Sequence, residues 1–281
     1  MDVLITGAAR GIGAETAKQL AARGHRASLV GLEAERLANL AAELGESHCW
    51  FEADVTDSKA LGAAVAGTVE RFGGIDAVVA NAGIANYATV RTADPEMFAK
   101  VIDVNLTGVF RTVHAALPHL IERRGYILVI ASLATYTPMP GLAAYAASKA
   151  GVESLAHALR HELVPFGVRV GTAHPSWIDT DMVRAAEQDL PTFAAVRSTL
   201  PWPANTVISV GECARAIVRG IERRARRVYV PRSVGLVNAF RSLVTSPLAD
   251  RLVARRARTL VPALESDIQA LGRQYMRHTP R

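Results

Sequence analysis

The chain has 281 residues, with 32 Lys plus Arg against 26 Asp plus Glu and a net charge of +6; half of it is hydrophobic. That balance excludes a mainly disordered chain and suits one large globular domain or two small ones. Cys49 and Cys213 are the only cysteines, which excludes a disulfide scaffold and reads as two reduced, buried thiols of a cytosolic protein.

Met1 and Asp2 lead straight into Val3-Leu4-Ile5, which reads as a buried strand rather than a secretory leader. The spacing of apolar residues predicts strands at 2–6, 26–31, 48–53, 75–80, 125–131 and 168–173. Helices are expected near 11–23, 33–44, 57–72, 94–122 and 143–166. Runs such as Tyr126-Ile127-Leu128-Val129-Ile130 are apolar throughout, as a parallel sheet covered on both faces requires. This alternation implies right-handed crossovers and an α/β fold with a doubly wound parallel sheet. From Pro175 to Thr206 the pattern loosens into a mobile, partly helical insertion. A helix near 211–224 and a strand at Arg227–Val230 then close the sheet. No apolar run approaches the roughly 18–20 residues of a spanning helix, so a soluble protein is expected, attached at most to a membrane surface.

Thr6-Gly7-Ala8-Ala9-Arg10-Gly11-Ile12-Gly13 follows the first strand and opens the first helix. Glycines there allow a tight turn, bring backbone amides close to a diphosphate and let the helix approach the sheet. The helix N-terminus favours the anion. A bare structural turn is the alternative; strand before and helix after favour binding. The spacing is GxxxGxG rather than GxGxxG.

Four further motifs occur in order: Asp54-Val55 after the third strand, Asn81-Ala82-Gly83 after the fourth, Val104-Asn105-Leu106-Thr107-Gly108, and Ser132 followed 13 residues later by Tyr145-Ala146-Ala147-Ser148-Lys149. Together with the glycine loop they resemble the short-chain dehydrogenase/reductase family over residues 2–235. The resemblance implies a Rossmann fold of about seven strands and NAD(P)(H)-dependent oxidation of an alcohol or reduction of a ketone or aldehyde. It implies cofactor contacts from Gly7, Arg10, Gly11, Ile12, Gly13, Gly31, Asp54, Val55, Asn81, Ala82, Gly83, Tyr145, Lys149, Pro175, Ile178 and Thr180. Asp54 is expected to hold the adenine amino group.

The catalytic set is Asn105, Ser132, Tyr145 and Lys149. Tyr145 and Lys149 are four apart in a helix and share one face. A free phenol titrates near 10, and a neighbouring ammonium favours the phenolate. Lys149 is therefore expected to activate Tyr145 and, by resemblance, to hold the nicotinamide ribose. Ser132 is expected to orient the substrate oxygen, and Asn105 to anchor a water linking Lys149 to solvent.

The second strand ends Ser28-Leu29-Val30-Gly31-Leu32-Glu33. Gly31 stands where NAD-preferring relatives carry Asp, Leu32 where NADP-preferring ones carry Arg, and Glu33 is expected to cap the next helix. Arg10 can pair with a 2′-phosphate, so NADP is favoured over NAD. His174-Pro175-Ser176-Trp177-Ile178-Asp179-Thr180 resembles the family's Pro-Gly-x-x-x-Thr segment, with Ser176 in place of Gly. A substrate lid is expected over 176–210. Tyr136, Met139, Leu142, Trp177, Met182, Phe193 and Trp202 are candidates for an apolar wall, or for ordinary packing, and fit a hydrophobic alcohol or ketone. His157 and His161 have helical ligand spacing without a third ligand, so no metal is expected.

Residues 236–281 are expected to form an Arg-rich helical extension of the catalytic domain 1–235. From Arg215 onward there are fifteen arginines and four acids, a net +11 that leaves −5 for the first 214 residues. A basic amphipathic helix can lie on an anionic membrane or pack over the active-site mouth, and packing is favoured. Nucleic-acid binding through the arginine runs is the non-enzyme alternative; no reading motif supports it, and no nucleic-acid partner is expected. Relatives assemble as homodimers or homotetramers, and an extension that blocks one interface favours the dimer. A cytoplasmic location is expected.

Overall fold

In the computed structural model, residues 1–137, 139–200, 202, 205–244 and 246–274 are described. The chain runs β1 (Asp2–Thr6), α1 (Gly11–Ala21), β2 (Arg26–Gly31), α2 (Ala34–Leu44), β3 (Cys49–Glu52), α3 (Ser58–Phe72) and β4 (Ala77–Ala80). It continues through α4 (Pro95–Ile102), a π turn (Asp103–Thr107), α5 (Gly108–Glu122), β5 (Tyr126–Ile130), α6 (Ala143–Glu162) and β6 (Arg169–Pro175). Then come β7 (Trp177–Ile178), α7 (Asp181–Asp189), α8 (Pro191–Thr199), β8 (Val207–Ile208), α9 (Val210–Glu222), β9 (Arg227–Val230), α10 (Val234–Ala239), α11 (Arg241–Val244) and α12 (Pro247–Leu271).

Seven of these strands form one sheet in the order β3-β2-β1-β4-β5-β6-β9, and every neighbouring pair is parallel. Period-two alternation sends each strand's side chains to two cores. Val3, Ile5, Leu128 and Ile130 pack with Leu20 and Leu37 and with Ile217 and Ile221 of α9. Leu4, Ile127 and Val129 pack with Leu61, Val113, Leu120 and Val152. Both layers are fully covered, which is why these strands read as unbroken apolar runs. The sheet reverses its order at β1 and β4, leaving a crevice at their carboxyl ends where ligands of such folds sit.

The expected helix 94–122 starts as its sequence implies: Asp94 caps it, accepting from the Glu96 amide at 3.0 Å, and Pro95 takes the first position. It does not run on unbroken. The π turn at 103–107 interrupts it because Asn105 is fully buried and bonds a loop instead of facing solvent. Its Oδ1 accepts from the Ile84 amide at 2.8 Å, while Nδ2 donates to the Ile84 carbonyl at 2.9 Å and to Ser148 Oγ at 3.0 Å. A π turn is the usual way for a helix to absorb such a displaced residue.

Within the segment 176–210, Pro201 and Pro203 lie outside the described residues, and the rest forms short elements. Pro191 opens α8, and β7 pairs with β8 beside the main sheet. Cys213 is buried, whereas Cys49 on the outer strand β3 is only partly so.

Candidate active site

A cleft of about 270 Å³ opens at the carboxyl ends of the strands. Gly7 and Gly11 line it with φ of +65° and +57°, values that side chains other than glycine rarely adopt. A Cβ at Gly7 would stand 2.8 Å from Ala82 Cα. Gly13 does not line the cleft; a Cβ there would meet the Gly7 carbonyl oxygen at 2.3 Å. Its role is to let α1 close on the loop. Thr6 Oγ1 accepts from the Asn81 and Ala82 amides, and Asn81 Nδ2 donates to the carbonyls of Thr6 and Gly7. The glycine loop and the Asn81-Ala82-Gly83 turn are thus tied into one wall.

One end of the cleft is bounded by Arg10, Gly31, Leu32 and Glu33, and by Asp54 and Val55. Asp54 Oδ1 accepts from the Thr56 amide at 2.8 Å, which fixes its turn. Glu33 stands at the N-cap of α2 but makes no capping bond. Its carboxylate pairs instead with Arg10 Nε at 2.9 Å, because the guanidinium is the stronger partner for an ionised group.

At the other end Ile12, Ser132, Tyr145, Lys149, Pro175, Ser176, Ile178 and Thr180 face the same space. Ser132 follows β5 and its Oγ caps a short turn, accepting from the Ala134 amide. Burial pushes the Tyr145 phenol above its ordinary value, and a hydrogen bond with Ser132 pulls it down. Lys149 Nζ lies 5.7 Å from the Tyr145 ring centre and donates to the Ile130 carbonyl at 2.8 Å. Burial lowers this ammonium to about 8. On balance the phenol stands above its ordinary value, with Ser132 opposing part of the effect of burial, and it faces an ammonium that itself gives up its proton easily. Asn105 is outside the cleft lining, yet a Cβ at Gly83 would sit 3.3 Å from its Oδ1 and 3.6 Å from Lys149 Nζ. All four catalytic candidates therefore converge.

Beside them lies an apolar wall of Ala85, Tyr87, Leu142, Leu190 and Phe193, with Met139, Tyr145, Trp177 and Met182 packed against it. Trp177 meets Phe193 edge-on at 5.4 Å. Two expected members are elsewhere. Trp202 is 70 % exposed. Tyr136 is buried in a separate cluster with Leu133 and Val234, because its hydroxyl donates to Glu153 and its ring stacks on His174 at 5.0 Å. Burial lowers His174 to about 4.

The missing wall is supplied by the end of the chain. Leu264 and Ile268 of α12 are buried in the apolar cluster, and Leu264 lies so close to Gly141 that a Cβ there would meet it at 2.6 Å. Arg273 bonds the buried Asp189 at 2.6 Å, Arg91 pairs with Glu265, and the Gln274 carbonyl accepts from the Tyr87 amide at 2.9 Å. Sequence reasoning missed these fastenings; the spacing of Leu260, Leu264 and Ile268 was the one signal. His157 meets Arg227 at 3.3 Å.

Comparison with known proteins decides the family. A short chain dehydrogenase profile matches residues 2–191. The chain belongs to the short chain dehydrogenase family. It is similar to a trans-4-hydroxycyclohexanecarboxylate dehydrogenase of Sinomonas cyclohexanicum, 36 % identical over 188 residues that span 64 % of this chain and 73 % of the relative. An alcohol dehydrogenase of Thermococcus sibiricus, solved with 5-hydroxy-NADP, superposes with a TM-score of 0.70 at 28 % identity over 82 % of this chain and 95 % of that one. A 3-ketoacyl-(acyl-carrier-protein) reductase of Brucella melitensis, solved with NADH, gives 0.71 at 27 % identity, covering 81 % and 95 %. As a short chain dehydrogenase the protein is an oxidoreductase acting on alcohol groups with a nicotinamide cofactor. Among the described residues no helix is long and apolar enough to cross a membrane.

Proposed function

We propose that this short chain dehydrogenase interconverts an apolar secondary alcohol and its ketone, or an aldehyde, with Tyr145 passing the proton. The observation that carries this is the Ser132, Tyr145 and Lys149 group, which opens on one side to the glycine loop and on the other to an apolar wall. The cleft fits a dinucleotide: Gly7 and Gly11 line it with positive φ, and α1 points its N-terminus at the loop. Gly11 and Ile12 take the diphosphate side, Asp54 and Val55 the adenine, and Asn81, Ala82 and Gly83 the adenosine side. Pro175, Ile178 and Thr180 take the carboxamide. When bound, the nicotinamide supplies or accepts the hydride.

Ser132 Oγ orients the substrate oxygen. The Tyr145 hydroxyl donates its proton to that oxygen in reduction and, as phenolate, takes it in oxidation. Lys149 places positive charge beside the phenolate and holds the ribose hydroxyls. A water between Asn105 and Lys149 then has its path beside Gly83, which lacks a side chain to block it. Tyr145→Phe is expected to fold, to bind cofactor and to lose turnover by about a thousandfold or more. Rates near the parent's in a spectrophotometric panel of apolar alcohols and ketones would end the assignment.

NADP(H) is preferred over NAD(H) in this reading. Gly31 brings no carboxylate to the end of β2, and a 2′-phosphate replaces Glu33 on Arg10. A charge-assisted bond of about 1.5–3 kcal/mol makes Arg10→Ala cost roughly ten- to a hundredfold in kcat/KM with NADPH. NADH should hardly change; an equal loss with both would overturn the preference.

The catalytic domain spans residues 1–235, and the extension 236–281 adds Leu264 and Ile268 to its pocket. A homodimer through α4, α5 and α6 is supported by Phe98 and Phe110, both exposed, with Phe110 stacked on His114 at 5.6 Å. Two free thiols fit the reducing cytoplasm.

A further inference from the structure

Helix α12 has two unlike halves. Its second half carries Leu264 and Ile268 into the substrate wall. Its first half is exposed on every side from Asp250 to Arg256, with Leu252 and Val253 each more than half exposed. Just before it, Leu236, Phe240, Leu243 and Val244 recur at helical spacing along α10 and α11, and all four face solvent, while Val234 anchors the segment in the body. Residues 232–261 also hold six arginines (Arg232, Arg241, Arg251, Arg255, Arg256 and Arg258) against one acid, Asp250.

We propose that α10, α11 and the first half of α12 form a docking surface for an anionic lipid bilayer. Exposed large apolar side chains are normal singly, but six within eighteen residues make a patch that wants a cover. An amphipathic helix with apolar residues beside arginines suits the boundary between headgroups and acyl chains: the apolar groups enter it and the guanidiniums meet lipid phosphates. Charge selects the occupant. A second copy of this patch would bring six more arginines against these six. A nucleic-acid backbone would satisfy the arginines and leave Leu236, Phe240 and Leu243 in water. Attachment is at the surface, since no described helix spans a membrane. The same helix then joins the bilayer to the pocket roof, so an apolar substrate dissolved in lipid is delivered beside the mouth. Docking on the bilayer stands apart from the choice of substrate; the delivery route rests on the apolar substrate proposed above.

The test is flotation of the full-length protein with vesicles of phosphatidylcholine alone or mixed with phosphatidylglycerol, at physiological salt. Binding to the mixed vesicles, weakened by added salt, is expected, with little binding to the neutral ones. Arg255→Gln/Arg256→Gln/Arg258→Gln removes three charges, each worth roughly fivefold near an anionic surface, and is expected to weaken binding about a hundredfold. Phe240→Ser/Leu243→Ser is expected to weaken it at least about tenfold through lost apolar burial. Both variants should keep the parent's melting temperature and nicotinamide cofactor affinity. The proposal is overturned if the parent does not bind the mixed vesicles. It is overturned too if Phe240→Ser/Leu243→Ser binds as the parent does, which means attraction to any polyanion, DNA included. Light scattering that shows this variant splitting an oligomer assigns the patch to a second copy and also ends the proposal.

Discussion

The two halves of the cleft are built in opposite ways. The cofactor half is made of strand ends and the turns that follow them, so backbone and glycines form its walls and the sheet fixes their spacing. The apolar half is made of side chains from loops, strand β7 and helices, several of them far along the chain from Tyr145: Phe193 on α8, Leu264 and Ile268 on α12. At Gly7 and Gly13 the backbone wall has no room for an added atom, whereas a wall of side chains can exchange one apolar group for another. The chemistry is therefore set on the rigid half and the choice of substrate on the adaptable one.

This contrast can be broken experimentally. Gly13→Val puts branched carbon where even a Cβ meets the Gly7 oxygen at 2.3 Å. Overpacking of about 3 kcal/mol or more should cost at least a hundredfold in cofactor affinity by titration. A variant that binds normally would show the backbone wall to be soft. His174 on β6 is fully buried, and burial lowers its pKa from 6.5 to about 4 in the fold. The unfolded chain takes up the proton as pH drops below about 6.5, while the folded chain resists until about 4. Stability is therefore full above that window and is lost as pH falls through it, by up to about 3 kcal/mol. Urea melts across this range should show the loss, and His174→Gln should flatten it. Leu264→Ala is the smallest change. It should cost about 2 kcal/mol of stability and raise KM for apolar substrates severalfold while leaving the cofactor KM unmoved. A parallel rise in both constants would mean that the halves are not separable.

The rigid half was also the legible half. Strand–turn–glycine spacing is local, so Gly7, Asp54, Asn81, Ser132 and Tyr145 could each be placed from a few neighbours. The π turn was not legible, because it arises from Asn105 reaching Ile84 and Ser148, contacts distant in sequence. Glu33 looked like a helix cap, and only three-dimensional proximity turned it to Arg10. The roof was hidden for the same reason: Asp189 and Arg273 are 84 residues apart. Tyr136 and Trp202 were candidates for the wall or for ordinary packing, and a hydroxyl bond to Glu153 in one case and exposure in the other keep them out of it.

The placement of α12 has a consequence for how the protein is made. The seventh strand of the sheet, β9, ends at Val230, and the pocket roof follows it in the chain. Domains fold as units from the N-terminus as they are synthesised, so the sheet and the helix carrying Tyr145 can assemble while the roof is still emerging from the ribosome. Throughout that interval the apolar wall faces water. A translation pause or premature stop after Pro231 would leave a well-formed enzyme core with its sticky interior uncovered, a ready target for chaperones.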